Sequence, residues 1–352
     1  MRREWIVACL SAFFLPAFAA LGCDARPGGA PEGMAGLLVS NRSGTFRIYE
    51  AGLEKGAAGA PGWAETWARP IGGAGAAARG YGDTMPARLP DGRVVFVSDR
   101  DGNPEIYVTS PDDGTVRRLT HDPDDPALAA SDSAPAALGR DRIVFARTGP
   151  GAPPGAPRDL YVMAVDGSGL RRLTRHPADD AAPSGSPDGR AVAFVSTRSG
   201  AARIHLLPDV DLPDPEAART SLSGSAVPGS IWADPGVTFS DNAPAFLPDG
   251  SIVFSRRPTG EVAHLFQMDR AGGRDGLRQI TDWVTLPFGG DEPVILPDGA
   301  ILLVSGPIPP PEGKEGPVRF AAYRIEAGGF NLSRVTRAGA AYDDFARRLA
   351  GD

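Results

Sequence analysis

Leu89–Val108 reads LPDGRVVFVSDRDGNPEIYV, and from Val116 follows VRRLT. In Pro90-Asp91-Gly92 the proline presets a turn, the aspartate fills it, and the glycine takes the positive φ that closes a tight hairpin. The runs VVFVS (94–98) and EIYVTS (105–110) flank a second Gly-containing turn, and their density of Val, Ile, Phe and Tyr argues strand rather than helix. The stretch is therefore a ladder of short antiparallel strands, and its last piece ends in RRLT.

This ladder recurs along the chain. Further PDG turns stand at 187–189, 248–250 and 297–299, and a degenerate Gly139-Arg140-Asp141 lies midway between the first two, so the unit is about fifty residues, in the range of propeller blades. Each turn precedes a β-rich run: IVFAR (143–147), AVAFVS (191–196), IVFSR (252–256) and ILLVS (301–305). A third-strand run follows in each unit (DLYVMAV, RIHLL, HLFQM, FAAYRI), then a fourth ending in RRLT (171–174), RQIT (278–281) or SRVT (333–336); the RIHLL unit shows no clear copy of that ending. A short segment containing Pro86, Pro135, Pro183, Pro244 or Pro293 leads into each turn and supplies the first strand. Four antiparallel strands per unit with almost no helical periodicity describe the blade of a β-propeller. The 45 glycines and 35 prolines serve its many turns, and an apolar fraction of 42% is ample for a core.

The blade count comes from the ends. Gly36–Gly52 carries strands two and three of a partial unit, and Asp343–Leu349 matches the spacing of Asp83–Leu89. The expected fold is all-β: a six-bladed propeller of four-stranded antiparallel blades over residues 35–352, closed by pairing of the N- and C-terminal segments, which removes free sheet edges. A monomer is expected.

The first residues have another purpose. Arg2 and Arg3 precede an apolar run from Trp5 to Ala20, the charged and apolar parts of an export signal, and the run is short for a membrane span. Ala20-Leu21-Gly22-Cys23 resembles the bacterial lipoprotein signal, in which the cysteine is lipidated and begins the mature chain. Cys9 and Cys23 are the only cysteines; once Cys9 leaves with the signal, Cys23 is an odd thiol unless modification consumes it. Residues 1–22 are thus expected to be a lipoprotein signal peptide and 23–34 the lipidated cysteine with a Gly/Pro-rich tether, placing the protein on the periplasmic side of the cell envelope. Cleavage after Ala17-Phe18-Ala19 would instead give a soluble secreted or periplasmic protein.

The phased motifs SPDG…AFVS…IHLL, PDG…FVSDRDGNPEIYV…RRLT and DLYVMAVDGSGLRRLT resemble the PD40/WD40-like repeats of the TolB-like six-bladed propellers, over nearly all of residues 35–352. The resemblance implies the fold, and a role like that of TolB in docking partner lipoproteins. The same repeats occur in the propellers of prolyl-oligopeptidase-type peptidases and of some polysaccharide lyases, so the fold does not carry an activity with it.

Residue chemistry narrows the function. No G-x-S-x-G nucleophile elbow exists, and the four histidines (His121, His176, His205, His264) read as loop or strand residues, not a metal cluster. The net charge of −7 without a basic run excludes nucleic acid as a natural partner. No cofactor and no metal are expected. A protein or peptide of the envelope is the expected partner of a membrane-tethered, non-enzymatic propeller; the alternative is a propeller that binds or cleaves glycans with Asp and Trp at its channel mouth.

Candidate contact residues follow from strand order. If first strands begin on one face, here the upper, then the loops between second and third strands and between blades share it, and the PDG turns lie below. Tyr81, Trp232, Trp283 and Phe288 belong to that upper set. Asp83, Asp132, Asp180, Asp241, Asp291 (displaced by one) and Asp343 recur just ahead of the prolines and would ring the channel mouth. Each would cap loop amides, or the ring would hold a cation or basic side chain. The insertions Leu53–Glu65 and Asp209–Ala218 are expected to project below.

Overall fold

The computed structural model describes residues 33–334, apart from 41–46, 56–62, 72–80, 111–113, 122–128, 224–237, 272–276, 283, 285, 287–288, 297–298, 309–318 and 327–331. Its regular elements are all strands. The first sheet holds β1 (Gly33–Ser40), β2 (Arg47–Lys55) and β3 (Trp63–Ile71). The second is β4 (Asp83–Arg88), β5 (Val94–Ser98), β6 (Glu105–Thr109) and β7 (Val116–Arg118). The third is β8 (Asp132–Leu138), β9 (Arg142–Thr148), β10 (Arg158–Ala164) and β11 (Arg171–Arg172). The fourth is β12 (Asp180–Gly185), β13 (Val192–Ser196), β14 (Arg203–Leu207) and β15 (Thr220–Ser221). The fifth is β16 (Phe239–Phe246), β17 (Ile252–Pro258), β18 (His264–Met268) and β19 (Arg278–Gln279). The sixth is β20 (Asp291–Ile295), β21 (Ile301–Ile308), β22 (Arg319–Ile325) and β23 (Ser333–Arg334).

Five of these sheets are complete four-stranded antiparallel blades, and the described residues hold no sixth: the first sheet has three strands. The closing segment expected at Asp343–Leu349 lies outside the described residues. First strands pack each on the next, β4 on β8, β8 on β12, β12 on β16 and β16 on β20, around the propeller's channel. Second strands are buried on both faces because each blade is sandwiched between neighbours, which is why VVFVS and VAFVS read as unbroken apolar runs. Val95, Ile106 and Val108 meet Ile143, Phe145 and Met163 of the next blade; Ile204 and Leu206 meet Phe254 and Phe266.

The repeat motifs are scaffold parts. In each described PDG turn the aspartate accepts from the amide two residues on, Asp91 from Arg93, Asp188 from Arg190 and Asp249 from Ser251. The threonine of RRLT accepts a third-strand amide: Ile106 donates to Thr120, Leu160 to Thr174 and Leu265 to Thr281, at 2.9–3.0 Å. The RIHLL blade has this piece after all. Ser223 takes the threonine's place, accepting from Ile204 at 2.8 Å, so Thr220-Ser221-Leu222-Ser223 is a disguised RRLT.

Leu53–Glu65 lengthens a hairpin, and Asp209–Ala218 departs from expectation. Leu53–Glu65 is partly strand, since β2 runs to Lys55 and Trp63 begins β3 opposite it. Asp209–Ala218 starts below, where Asp209 meets Arg190 and Asp211 meets Arg142, but it does not project. Val210 is buried in the core, and Glu216 takes the Arg175 amide at 2.7 Å and the Arg198 guanidinium at 3.2 Å, both on the upper side. The segment is strapped along the outer edge of its blade by these charges.

Candidate functional site

Every complete blade distorts its innermost strand at the same place. Met85, Ala134, Ala182, Ala243 and Glu292 each precede the recurring proline and have φ of 44–53°, and the ladder to the second strand shifts register there. Non-glycine residues rarely adopt this left-handed region, so a bulge repeated five times is a built feature of the strand. It follows directly on the aspartates, and it lets the chain bury a carboxylate at the upper end of the strand before resuming its ladder.

The carboxylates are turned to arginine. Asp83, Asp180 and Asp241 are wholly buried and Asp132 is 2% exposed. Asp132 holds Arg147 through two bonds at 2.5 and 2.8 Å, Asp180 holds Arg198 at 2.7 and 2.9 Å, and Asp241 holds Arg256 at 2.7 and 3.0 Å. Asp83 takes Arg100 at 2.8 Å, with Arg47 at 3.7 Å. The arginine comes by two routes. In two blades it stands directly across the ladder, Asp132 opposite Arg147 and Asp241 opposite Arg256; in the other two a serine is opposite and the arginine follows two residues later, in Ser98-Asp99-Arg100 and Ser196-Thr197-Arg198.

Each guanidinium also lies over aromatic rings, which replace water with polarisable faces. Arg256 is 3.9 Å from the Phe239 centroid and 5.2 Å from Phe266; Arg100 is 4.9 Å from Tyr81 and 4.7 Å from Tyr107. Burial pushes the Asp132 carboxyl up to about 6 and raises that of Asp241, because lost hydration outweighs the pull of Arg147 and Arg256. The expected ring of carboxylates is thus, at four positions, a ring of buried ion pairs. They hold the inner strands, and a basic side chain is the partner, not loop amides.

The sixth sheet breaks the rule. Asp291 lies opposite Val304, the slot that Thr84 and Val97 occupy in the second blade, so the buried aspartate slot falls to Gly290. Asp291 is instead partly exposed and takes Arg257 of the preceding blade at 2.9 Å. Glu292 beside it is half-buried, and burial together with the Asp291 charge pushes its carboxyl up to about 8. Sequence reading missed Glu292; comparison of the pre-proline residues, Met85, Ala134, Ala182, Ala243 and Glu292, singles it out.

The other candidates divide. Tyr81 is partly buried with its ring between Arg47 and Arg100, and its carbonyl accepts from Arg47, so it is packed into the ion-pair layer. Trp232, Trp283, Phe288, Asp343 and Cys23 lie outside the described residues. Val284, next to Trp283, is 90% exposed, its amide held by Asp282 in a turn on the upper face. Upper placement of the long segment 148–158 is seen in Thr148 and Gly151 donating to the inter-blade residues Ser131 and Ala129. His205 and His264 are buried strand residues, whereas His121 and His176 are exposed in loops. Burial and the Arg219 charge hold His205 down to about 3, so it is neutral. Among the described residues no group of three or more His, Cys, Asp or Glu could hold a metal ion.

No protein-family model matches the chain. It is 31% identical over 146 residues to a TolB homolog of Chlorobium luteolum, covering 32% of this chain and 34% of that protein. It is 28% identical over 143 residues to an uncharacterized peptidase, YuxL, of Bacillus subtilis, covering 32% of this chain and 21% of that protein. The chain thus spans about a third or less of the length of these curated relatives. Among solved structures, TolB from Acinetobacter baumannii superposes with a TM-score of 0.56 at 18% identity, over 87% of this chain and 64% of that one, a likeness of fold.

Proposed function

We propose that this chain is a non-catalytic propeller that docks a protein or peptide partner of the bacterial envelope on its upper face, on the periplasmic side, tethered through lipid on Cys23. The observation that carries the reading is Val284: a large apolar side chain held 90% exposed by a capped turn, in a loop that also contains Trp283 and Phe288. Exposed apolar anchors beside polar rims mark protein contacts. The likeness to TolB proteins, named in Bordetella pertussis as a Tol-Pal system protein, supports an envelope setting. In this reading β1–β3 belong to a sixth blade that Asp343–Leu349 completes. A glycan-cleaving mouth would need carboxylates free to act, and four of its aspartates are engaged by arginine.

Two measurements test this. With tagged full-length protein and its partner captured from solubilised envelope, changing Trp232 and Trp283 to alanine together should weaken binding by about 2 kcal/mol or more while the melting temperature holds; unchanged affinity in calorimetry would move the docking surface elsewhere. Cys23→Ala should shift the protein from the membrane to the soluble fraction. Wild type that is already soluble and carries no acyl mass would refute the tether.

A further inference from the structure

At the upper end of the third strands one residue stands just before the amide that the RRLT threonine, or its serine substitute, accepts: Glu105, Asp159, Arg203 and His264. The carbonyl ahead of this residue accepts the amide of the aspartate slot on the following sheet, Pro104 from Asp132 at 2.9 Å, Ala202 from Asp241 at 3.0 Å and Ala263 from Gly290 at 2.7 Å. The two positions therefore meet at these seams. Arg203 meets Asp241 with opposite charge and His264 meets a glycine, but Glu105 meets Asp132 with like charge. Neither of those two carboxylates has exposed side-chain surface.

Arg147 ties the pair together: its Nε and Nη2 bond Asp132 at 2.5 and 2.8 Å, and the same Nη2 lies 3.8 Å from Glu105 Oε2. Glu105 also takes the Asn103 amide at 3.1 Å and Arg118 at 2.6 Å, a guanidinium that lies 3.6 Å from Asp101 as well. Thr120 completes the node. Its hydroxyl donates to Glu105 Oε2, accepts the Ile106 amide at 2.9 Å, and lies within hydrogen-bonding reach of Asp132. A hydroxyl has one hydrogen and two lone pairs. With its hydrogen given to Glu105 it can serve Asp132 only as an acceptor, so Asp132 must bring a proton of its own to that contact. On the inner strands flanking Asp132, Asp83 is paired with Arg100 and Asp180 with Arg198.

We propose that Glu105 and Asp132 form a proton-operated latch between the second and third sheets: the pair takes up one proton in mild acid, Asp132 holding it toward Thr120, and the seam is tighter with that proton than without it. Hydrogen bonds decide which carboxylate becomes the acid. Burial raises Glu105, but the bonds from Thr120, Asn103 and Arg118 outweigh it and hold its carboxyl below the usual range, so the charge stays there. Burial brings Asp132 up to about 6, against about 3.9 for an aspartate in an unfolded chain. The folded chain thus binds the proton more tightly than the unfolded one, and the resulting stabilisation is complete below about pH 4 and is lost as pH rises through 6.

Carboxyl carbon NMR titration of the full chain, with Asp132 assigned through its backbone, reads the latch without unfolding it. Wild-type Asp132 should titrate near pH 6. Glu105→Gln removes the neighbouring charge and keeps an oxygen for Thr120, and it should lower the proton affinity of Asp132 by about threefold or more. In urea unfolding, the folding constant of wild type should gain about tenfold on that of Asp132→Asn between pH 7 and pH 5. A wild-type midpoint below about pH 5, an unchanged midpoint in Glu105→Gln, or parallel pH profiles for wild type and Asp132→Asn overturns the latch. Should a variant not fold, the wild-type titration still decides, because a purely structural ion pair keeps both carboxylates charged to below about pH 5.

Discussion

Asp241→Ala should lower the stability of the full chain by about 3–5 kcal/mol, whereas Asp291→Asn should cost about 1 kcal/mol or less. The two aspartates differ in what removal leaves behind. Arg256 has no exposed surface, so without Asp241 its charge stays in the interior, where the Ser223 carbonyl at 2.8 Å and the face of Phe239 cannot replace a counter-ion. The Arg257 and Asp291 side chains are 54% and 31% exposed, and water screens whichever one remains. The paired change Asp241→Leu with Arg256→Met removes both charges and should recover much of the loss, since a buried ion pair contributes little net stability over apolar side chains of similar size. Urea unfolding midpoints of the three variants decide the matter. A cost below about 1 kcal/mol for Asp241→Ala, or a double variant no better than the single, would mean that the ion-pair layer does not hold the inner strands.

The same layer shows what a repeat reveals and what it hides. PDG turns, Val/Ile/Phe runs and RRLT endings were legible because turn chemistry and strand burial act locally, on residues close together in the chain. The fourth blade's last strand was not, since Ser223 performs the threonine's hydrogen bond with a different side chain. The recurrence of aspartate ahead of proline was also plain, but its partners were hidden. Arg147 and Arg256 sit one way on the ladder and Arg100 and Arg198 another, so no single spacing links carboxylate to guanidinium.

A repeat residue that performs the same task in each blade belongs to the scaffold, and information about function is therefore concentrated where the pattern slips. Asp291 marks such a slip, one residue out of phase with the aspartates of the other blades, and Glu292 stands beside it. The upper loops are the other: their lengths follow no repeat, and the sequence names no contacts for them.

The pattern slips a third time on the lower side, and there it predicts a failure of packing. Gly139-Arg140-Asp141 lacks the turn proline, and Gly185 stands where the second and third sheets carry Arg88 and Ala137. These glycines meet at one seam. A Cβ on Gly185 would lie 2.2 Å from the Ala137 carbonyl oxygen and 2.8 Å from the Leu138 Cα, and one on Gly139 would lie 2.9 Å from the Gly189 Cα. The Gly139 amide donates across the seam to the Ser186 carbonyl at 3.2 Å, and Arg142 to the Gly189 carbonyl at 2.5 Å. All the atoms that Gly185 would strike are backbone of the adjoining inner strand, so no rotamer change relieves the contact and the two blades must part. Gly185→Ala should therefore cost about 3 kcal/mol, the upper end for overpacking. Gly200→Ala is the control for backbone strain alone. Gly200 has φ of 88° with nothing within 4 Å of its Cβ position, so only the left-handed penalty of about 1–2 kcal/mol applies. Thermal unfolding of the two variants should rank Gly185→Ala well below Gly200→Ala; the reverse order would show that the seam yields, and that the two blades are not locked by their glycines.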